Sequence, residues 1–178
     1  SSEVSKLLEF VNKNQIDIFI NNAALAMKTS FLDISDFELR KVFEVNLISA
    51  FKVIQKVFGS MVNNRGGIII NIGSIGGQIG GKDQVHYAVS KGALETLIRS
   101  IARLGFDSKV YAFNVSPGCV DTPMLSKLNE NISHLEKSIP FGSVAEVTKL
   151  ATVISSLCSE EWNYASGQTI NYNGGLLF

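Results

Sequence analysis

The stretch Ile68-Ile69-Ile70-Asn71-Ile72-Gly73-Ser74-Ile75-Gly76-Gly77-Gln78-Ile79-Gly80-Gly81 decides the fold. Residues 68–72 are an isoleucine run without apolar–polar alternation, the pattern of a parallel strand covered on both faces. The glycine-rich loop 73–81 follows, and then residues 87–104 recur with helical spacing. A second β-branched run, 110–115, ends at Pro117-Gly118. Strand, loop, helix and strand in that order form the repeating unit of an α/β protein with a parallel sheet.

The same alternation extends in both directions. Upstream, residues 16–20 (Ile-Asp-Ile-Phe-Ile) predict a strand ending at Asn21-Asn22, and residues 4–11 predict a short amphipathic helix. Ser35 followed three residues later by Glu38 is a capping-box signature. Behind it Phe43, Leu47, Ala50, Ile54, Phe58 and Met61 step by threes and fours, so a helix is expected over about 36–62. Asn63 to Gly67 is a turn. Downstream, 124–138 reads as a polar, mobile helix or lid, 146–157 as a helix, and 168–172 as a last short strand before Gly174-Gly175. The expectation is a single domain over 1–178.

Composition narrows the classes of function. The chain has 178 residues, 46% hydrophobic and 18% charged, with 16 basic and 16 acidic side chains. That is enough apolar material for a core and too little charge for a disordered chain. A formal net charge of zero gives no electrostatic footprint for nucleic acid or an anionic membrane surface. No uninterrupted apolar run approaches the ~18 residues of a membrane span, and the N-terminus does not read as a signal peptide. Cys119 and Cys158 are expected as thiols in a reducing, cytoplasmic setting. With His86 and His134 they form no ligand-spaced cluster, so no metal site is expected.

The chemistry-bearing residues are Ser74, Tyr87 and Lys91. Tyr87 and Lys91 are four apart, so a helix puts them on one face. A tyrosine of ordinary pKa about 10 is a poor proton donor and acceptor near neutrality. A neighbouring ammonium favours the phenolate and brings the phenol toward the range that general acid–base catalysis uses. A serine on the adjacent loop could hold a carbonyl or alkoxide oxygen. Taken alone, a Tyr-x-x-x-Lys pair is commonly an ordinary surface pair. A second pattern competes in the same loop, because Gly76 to Lys82 fits Gly-x-x-x-x-Gly-Lys after a strand. Asp83, however, stands where the magnesium-binding hydroxyl belongs, and the helix starts too late for its N-terminus to close on phosphates.

The surrounding residues carry a resemblance. Asn21-Asn22-Ala23-Ala24 after a strand, Asn46 within Val-Asn-Leu, Gly73-Ser74 and then Tyr87-Ala88-Val89-Ser90-Lys91 occur in that order. They are followed by Asn114-Val115-Ser116-Pro117-Gly118 with Thr122, by Ser166-Gly167-Gln168-Thr169, and by Asn173-Gly174-Gly175. The whole set resembles the short-chain dehydrogenase/reductase family, in its 3-oxoacyl-carrier-protein reductase-like branch. Each match also has a plain alternative: Asn46 as a satisfied helix asparagine, Thr122-Pro123 as a turn, Ser74 as a loop cap, Asn22 as a strand end.

The resemblance implies a doubly wound, Rossmann-like parallel sheet and hydride transfer between NAD or NADP and a small-molecule carbonyl/alcohol pair. It makes Tyr87 the general acid/base and has Lys91 tune it and hold the nicotinamide ribose. Ser74 would orient the substrate oxygen, and Asn46 would hold a water in a proton relay. The backbone at Asn22 and Ala23 would line the adenosine side, and Pro117, Gly118, Val120 and Thr122 would face the nicotinamide. It also implies a homodimer or homotetramer paired through the helices at about 36–62 and 87–104. On the second, apolar residues (Ala88, Val89, Ala93, Leu94, Leu97, Ile98, Ile101 and Ala102) spread around most of the circumference.

Departures are few. Ala24 replaces the family's glycine, Phe113 stands where asparagine is usual, and Ser143 where arginine is usual. The largest is that the glycine-rich pyrophosphate turn of the family's opening βα unit has no counterpart here. About 60 residues, two units of about 30, would precede this sequence in the family's pattern. The strand at 16–20 would then form an apolar edge. The expectation is a C-terminal part of the Rossmann domain, and the alternative function is an inactive assembly or scaffold module.

Overall fold

The computed structural model describes residues 2–128 and 132–178. A four-stranded parallel sheet runs β1 (Ile18–Asn21), β2 (Gly67–Ile72), β3 (Val110–Pro117) and β4 (Thr169–Tyr172), side by side in that order. The helices between them are α1 (Ser2–Lys13), α2 (Asp36–Phe43), α3 (Ser49–Val62), a single turn α4 (Gly76–Ile79), and the long α5 (Val85–Gly105). Then come α6 (Pro123–Lys127), α7 (Ile132–Ser138) and α8 (Val147–Ser156). The expected Rossmann-like α/β architecture is what forms. The expected lid covers α6 and α7; Asn129, Glu130 and Asn131 between them lie outside the described residues.

Two cores, one on each face, explain why the strands carry no alternation. Successive strand residues point to opposite faces. Ile69, Val110 and Ala112 pack with Val53, Ile54, Val57 and Met61 of α3 and with Leu94 and Ile98 of α5. Ile70, Phe113 and Val115 point the other way, against Leu150 of α8 and Leu157 just beyond it. Phe113 is the largest fully buried side chain, so the residue standing in place of the family's asparagine fills this second core. Covering thins out at β1, where Phe19 joins the first core but Ile18 and Ile20, on the second face, stay 46% and 43% exposed.

The predicted helix over 36–62 is continuous but not uniform. Its start is the capping box: Ser35 Oγ accepts from the Glu38 backbone N–H at 3.2 Å, and Glu38 accepts from the Ser35 backbone N–H at 3.1 Å. Between α2 and α3 the backbone widens into a π-turn over Glu44–Ile48, with Asn46 at its centre and fully buried. Val42 before the π-turn is buried, and in the regular α3 after it Val53 and Val57 share the buried face of Ala50, Ile54 and Met61, which the apolar pattern had picked out without them. By length and apolarity Asp36–Val62 could cross a membrane; here its α3 part packs on the sheet and on α5. Both cysteines are thiols.

Candidate active site

The site assembles where parallel strands end, which is where open α/β sheets present their ligand crevice. Asn21-Asn22-Ala23 leave β1, Gly73-Ser74 leave β2, Pro117-Gly118 leave β3 and Asn173-Gly174 leave β4. Helix α5 supplies the rest from the adjoining face. Asn22 and Ala23 are exposed in the irregular segment after β1, and Pro117 is buried at the tip of β3. Gly118 packs so tightly that an added Cβ would come within 3.0 Å of Asn173 backbone atoms. Val120 bridges to Ala145, and Thr122 is the N-cap of α6, with Pro123 at the first helical position.

Ser74, Tyr87 and Lys91 come together. The Ser74 side chain is placed to hydrogen-bond the Tyr87 phenol. Ser74 Oγ also accepts from the Gly76 backbone N–H at 3.1 Å, fixing the hydroxyl at the start of α4. Lys91 Nζ lies 5.8 Å from the Tyr87 ring centroid and donates to the Ile72 carbonyl at 2.7 Å. Lys91 is 3% exposed, and burial lowers its pKa to about 8.

One expectation changes in sign. Burial holds the Tyr87 phenol above the ordinary tyrosine value, with the Ser74 hydrogen bond pulling in the opposite direction. The ammonium was expected to lower it. Lys91 instead aims its Nζ at the Ile72 carbonyl, beside the ring, and is itself desolvated. The phenol is therefore protonated at neutral pH, a proton donor rather than a resting phenolate.

Asn46 is fixed by a bidentate clamp. Its Oδ1 accepts from the Leu25 N–H at 2.7 Å, and its Nδ2 donates to the Leu25 carbonyl at 2.9 Å and to Ser90 Oγ at 3.0 Å. Ser90 Oγ in turn donates to the Tyr87 carbonyl at 2.7 Å. Both amide protons of Asn46 are thus committed, leaving one Oδ1 lone pair. Sequence reasoning passed over Ser90, although its place three residues after Tyr87 on one helix was the available signal. It also passed over His86, which is 2% exposed and, among the described residues, has no hydrogen-bond partner at either ring nitrogen.

The comparisons accord with this geometry. A family profile described as enoyl-(acyl carrier protein) reductase matches residues 2–177. An acetoacetyl-CoA reductase of Acinetobacter is 32% identical over 165 residues, covering 92% of this chain and 66% of the relative. A 3-oxoacyl-[acyl-carrier-protein] reductase, FabG, of Aquifex aeolicus is 35% identical over 90% of this chain and 65% of the relative. MabA of Mycobacterium tuberculosis, another 3-oxoacyl-[acyl-carrier-protein] reductase, is 34% identical over 99% and 72%. The chain belongs to the short-chain dehydrogenase/reductase family. It spans about two-thirds of the length of these family members. Within the family match, the P-loop-like run at Gly76–Lys82 is accounted for by α4 and the bend that follows it, where Gly80 has φ +83°.

Proposed function

We propose that this chain carries the catalytic residues of an NAD(P)-dependent oxidoreductase that interconverts a carbonyl and an alcohol. The observation that carries the proposal is the convergence of Ser74, Tyr87 and Lys91 at the carboxyl ends of parallel strands. The donor set suits the nicotinamide-ribose end of a dinucleotide, since a hydroxyl and an ammonium lie side by side to meet ribose hydroxyls. Tyr87 and Lys91 would hold that ribose. Pro117, Gly118, Val120 and Thr122 would flank the nicotinamide, and the main chain at Asn22 and Ala23 the adenosine. When bound, the reduced dinucleotide supplies the hydride that reaches the carbonyl carbon.

The protein's own part is position and the proton. Ser74 would hydrogen-bond the substrate oxygen, and Tyr87 would pass its proton to that oxygen as negative charge develops. The tyrosinate left behind lies beside Lys91, whose charge stabilises it. In the oxidative direction the same phenolate takes the proton back from the alcohol. Asn46 would meet a relay water through its remaining lone pair while its amide clamps the segment at Leu25. The names of the relatives point to 3-oxoacyl thioesters as the substrate class. A cytoplasmic setting and a homodimer or homotetramer go with this reading.

The decisive assay is reduction of acetoacetyl-CoA by NADPH or NADH in the complete reading frame that encodes this chain. Tyr87→Phe should lower turnover by about 10² or more, the usual scale of general acid–base catalysis. Full activity in Tyr87→Phe would refute the assignment. A folded protein inactive with every short-chain carbonyl substrate and both dinucleotides would favour the assembly-module alternative.

A further inference from the structure

Beneath the site, one register row of the sheet is polar on all four strands. The pairings put Asn21 opposite Asn71, Asn71 opposite Asn114, and Asn114 opposite Thr169. All four side chains point to the face that α5 covers, because they share parity with Ile69 and Ala112. The three asparagines are at most 5% exposed. Their amides form a directed chain: Asn21 Nδ2 donates to Asn71 Oδ1 at 2.7 Å, and Asn71 Nδ2 donates to Asn114 Oδ1 at 2.7 Å. Asn114 Nδ2 reaches Thr169 Oγ1 at 3.4 Å, and Thr169 donates to Glu95 Oε1 at 3.0 Å. Glu95 is also paired with Arg99.

This row touches the site at two points. At Gly73 a Cβ would lie 2.8 Å from Asn114 Oδ1 and 2.9 Å from Asn114 Nδ2. The residue immediately before Ser74 therefore rests on the Asn114 carboxamide, and its N–H is held by the Val115 carbonyl at 2.7 Å. At the other end, Glu95 follows Tyr87 and Lys91 at successive steps of four on α5, so one helical stripe carries all three. The row fixes the floor under Ser74 and the seating of the helix that holds Tyr87. Unlike an apolar core, which tolerates small slips, hydrogen bonds of fixed direction ending on a carboxylate specify one register.

We infer that Asn114 is a positioning residue for the Ser74–Tyr87 contact, acting through Gly73 and held in turn by Thr169 and Glu95. This deepens the proposed function, and its test has a readout that does not need activity. The probe is the titration of the Tyr87 ring, followed by NMR of ring-labelled tyrosine, with Tyr87→Phe identifying the signal. Lys91 is the charged group beside that ring and is left intact in every variant. Ser74→Ala removes the hydrogen bond that holds the phenol down, so its titration moves upward. Asn114→Leu should move it in the same direction, and the double variant should move it no further than Ser74→Ala alone. Such non-additivity identifies two residues acting on one contact.

Because Asn114→Leu strips a partner from buried Asn71, two gentler variants accompany it. Asn114→Ser keeps a hydroxyl in the row, and Thr169→Val breaks the row without touching Gly73. Each should give a smaller shift of the same sign. In the acetoacetyl-CoA assay, kcat should fall about 10-fold or more with KM little changed, as for a misplaced reacting group. A Tyr87 titration left at the wild-type position by all three variants in folded protein would overturn the inference, as would full additivity with Ser74→Ala. A wild-type protein that is inactive but shows the non-additive titration would sink the functional reading and leave the positioning role standing.

Discussion

At the scale of single residues, Lys91 is where the proposed function and stability oppose each other. A lysine that is 3% exposed has little solvation to hold its charge, and its pKa falls to about 8. Between about pH 8 and the ordinary 10.4, the unfolded chain therefore holds a proton that the folded chain does not. Stability contributed by this group rises with pH across that window and is lowest below pH 8, where the folded protein carries a buried ammonium. Lys91→Met should stabilise the fold at pH 7 by about 1–2 kcal/mol, after the loss of its hydrogen bond to Ile72 is counted. The same change should flatten the rise in stability between pH 8 and 10. Denaturant melts at pH 7 and pH 9.5 check it; a variant less stable than wild type at pH 7 would show that the Ile72 bond outweighs desolvation. The pair Tyr87 and Lys91 was legible in the sequence from helical spacing. The direction of the Tyr87 shift was not, because it depends on where the ammonium points and on how much protein lies over the ring.

At the scale of elements, the start of the helix over 36–62 was legible and its middle was not. Ser35 and Glu38 announce the cap through local chemistry alone, and both reciprocal bonds form. Ser35→Ala should destabilise the protein by about 1 kcal/mol, read as a lower denaturant midpoint with an unchanged slope. Destabilisation below about 0.3 kcal/mol would mean that tertiary packing of α2, not the cap, sets this helix end. The π-turn at Glu44–Ile48 carries no comparable local signature. It exists because Asn46 gains three hydrogen bonds to Leu25 and Ser90, and those partners lie 21 and 44 residues away. A clamp between segments so distant in sequence has no periodicity to betray it. The same holds for α4, whose single turn follows from Gly77 packing on Gly92 and from the chain reversal at Gly80.

At the scale of the whole molecule, the outer faces of the long helices carry apolar side chains that none of the described residues covers. Val89 is 52% exposed on α5, Phe51 46% on α3 and Phe37 70% on α2, while Ala88, Leu94 and Ile98 of α5 are buried inward. Large apolar side chains left open on adjoining helices suit a self-complementary contact, in which one substitution acts twice per interface. Light scattering on the intact protein should give a dimer or tetramer, and Phe51→Glu combined with Val89→Glu should dissociate it without unfolding it. A soluble, folded monomer at high micromolar concentration would overturn this. So would an assembly indifferent to both charges.

The sequence by itself determined the alternation of strands and helices, the parallel sheet and the family to which its ordered motifs belong. Local periods, caps and an ordered set of motifs express all three, and each depends on neighbours within a few residues. The tertiary structure alone decided that Ser74 is placed against the Tyr87 phenol, that burial holds that phenol above its ordinary value, and that Asn21, Asn71, Asn114 and Thr169 share one buried row. Those facts rest on strand register and on burial. Register sets residues about fifty positions apart side by side, and burial is a property of everything packed around a group, so no single stretch of sequence encodes either.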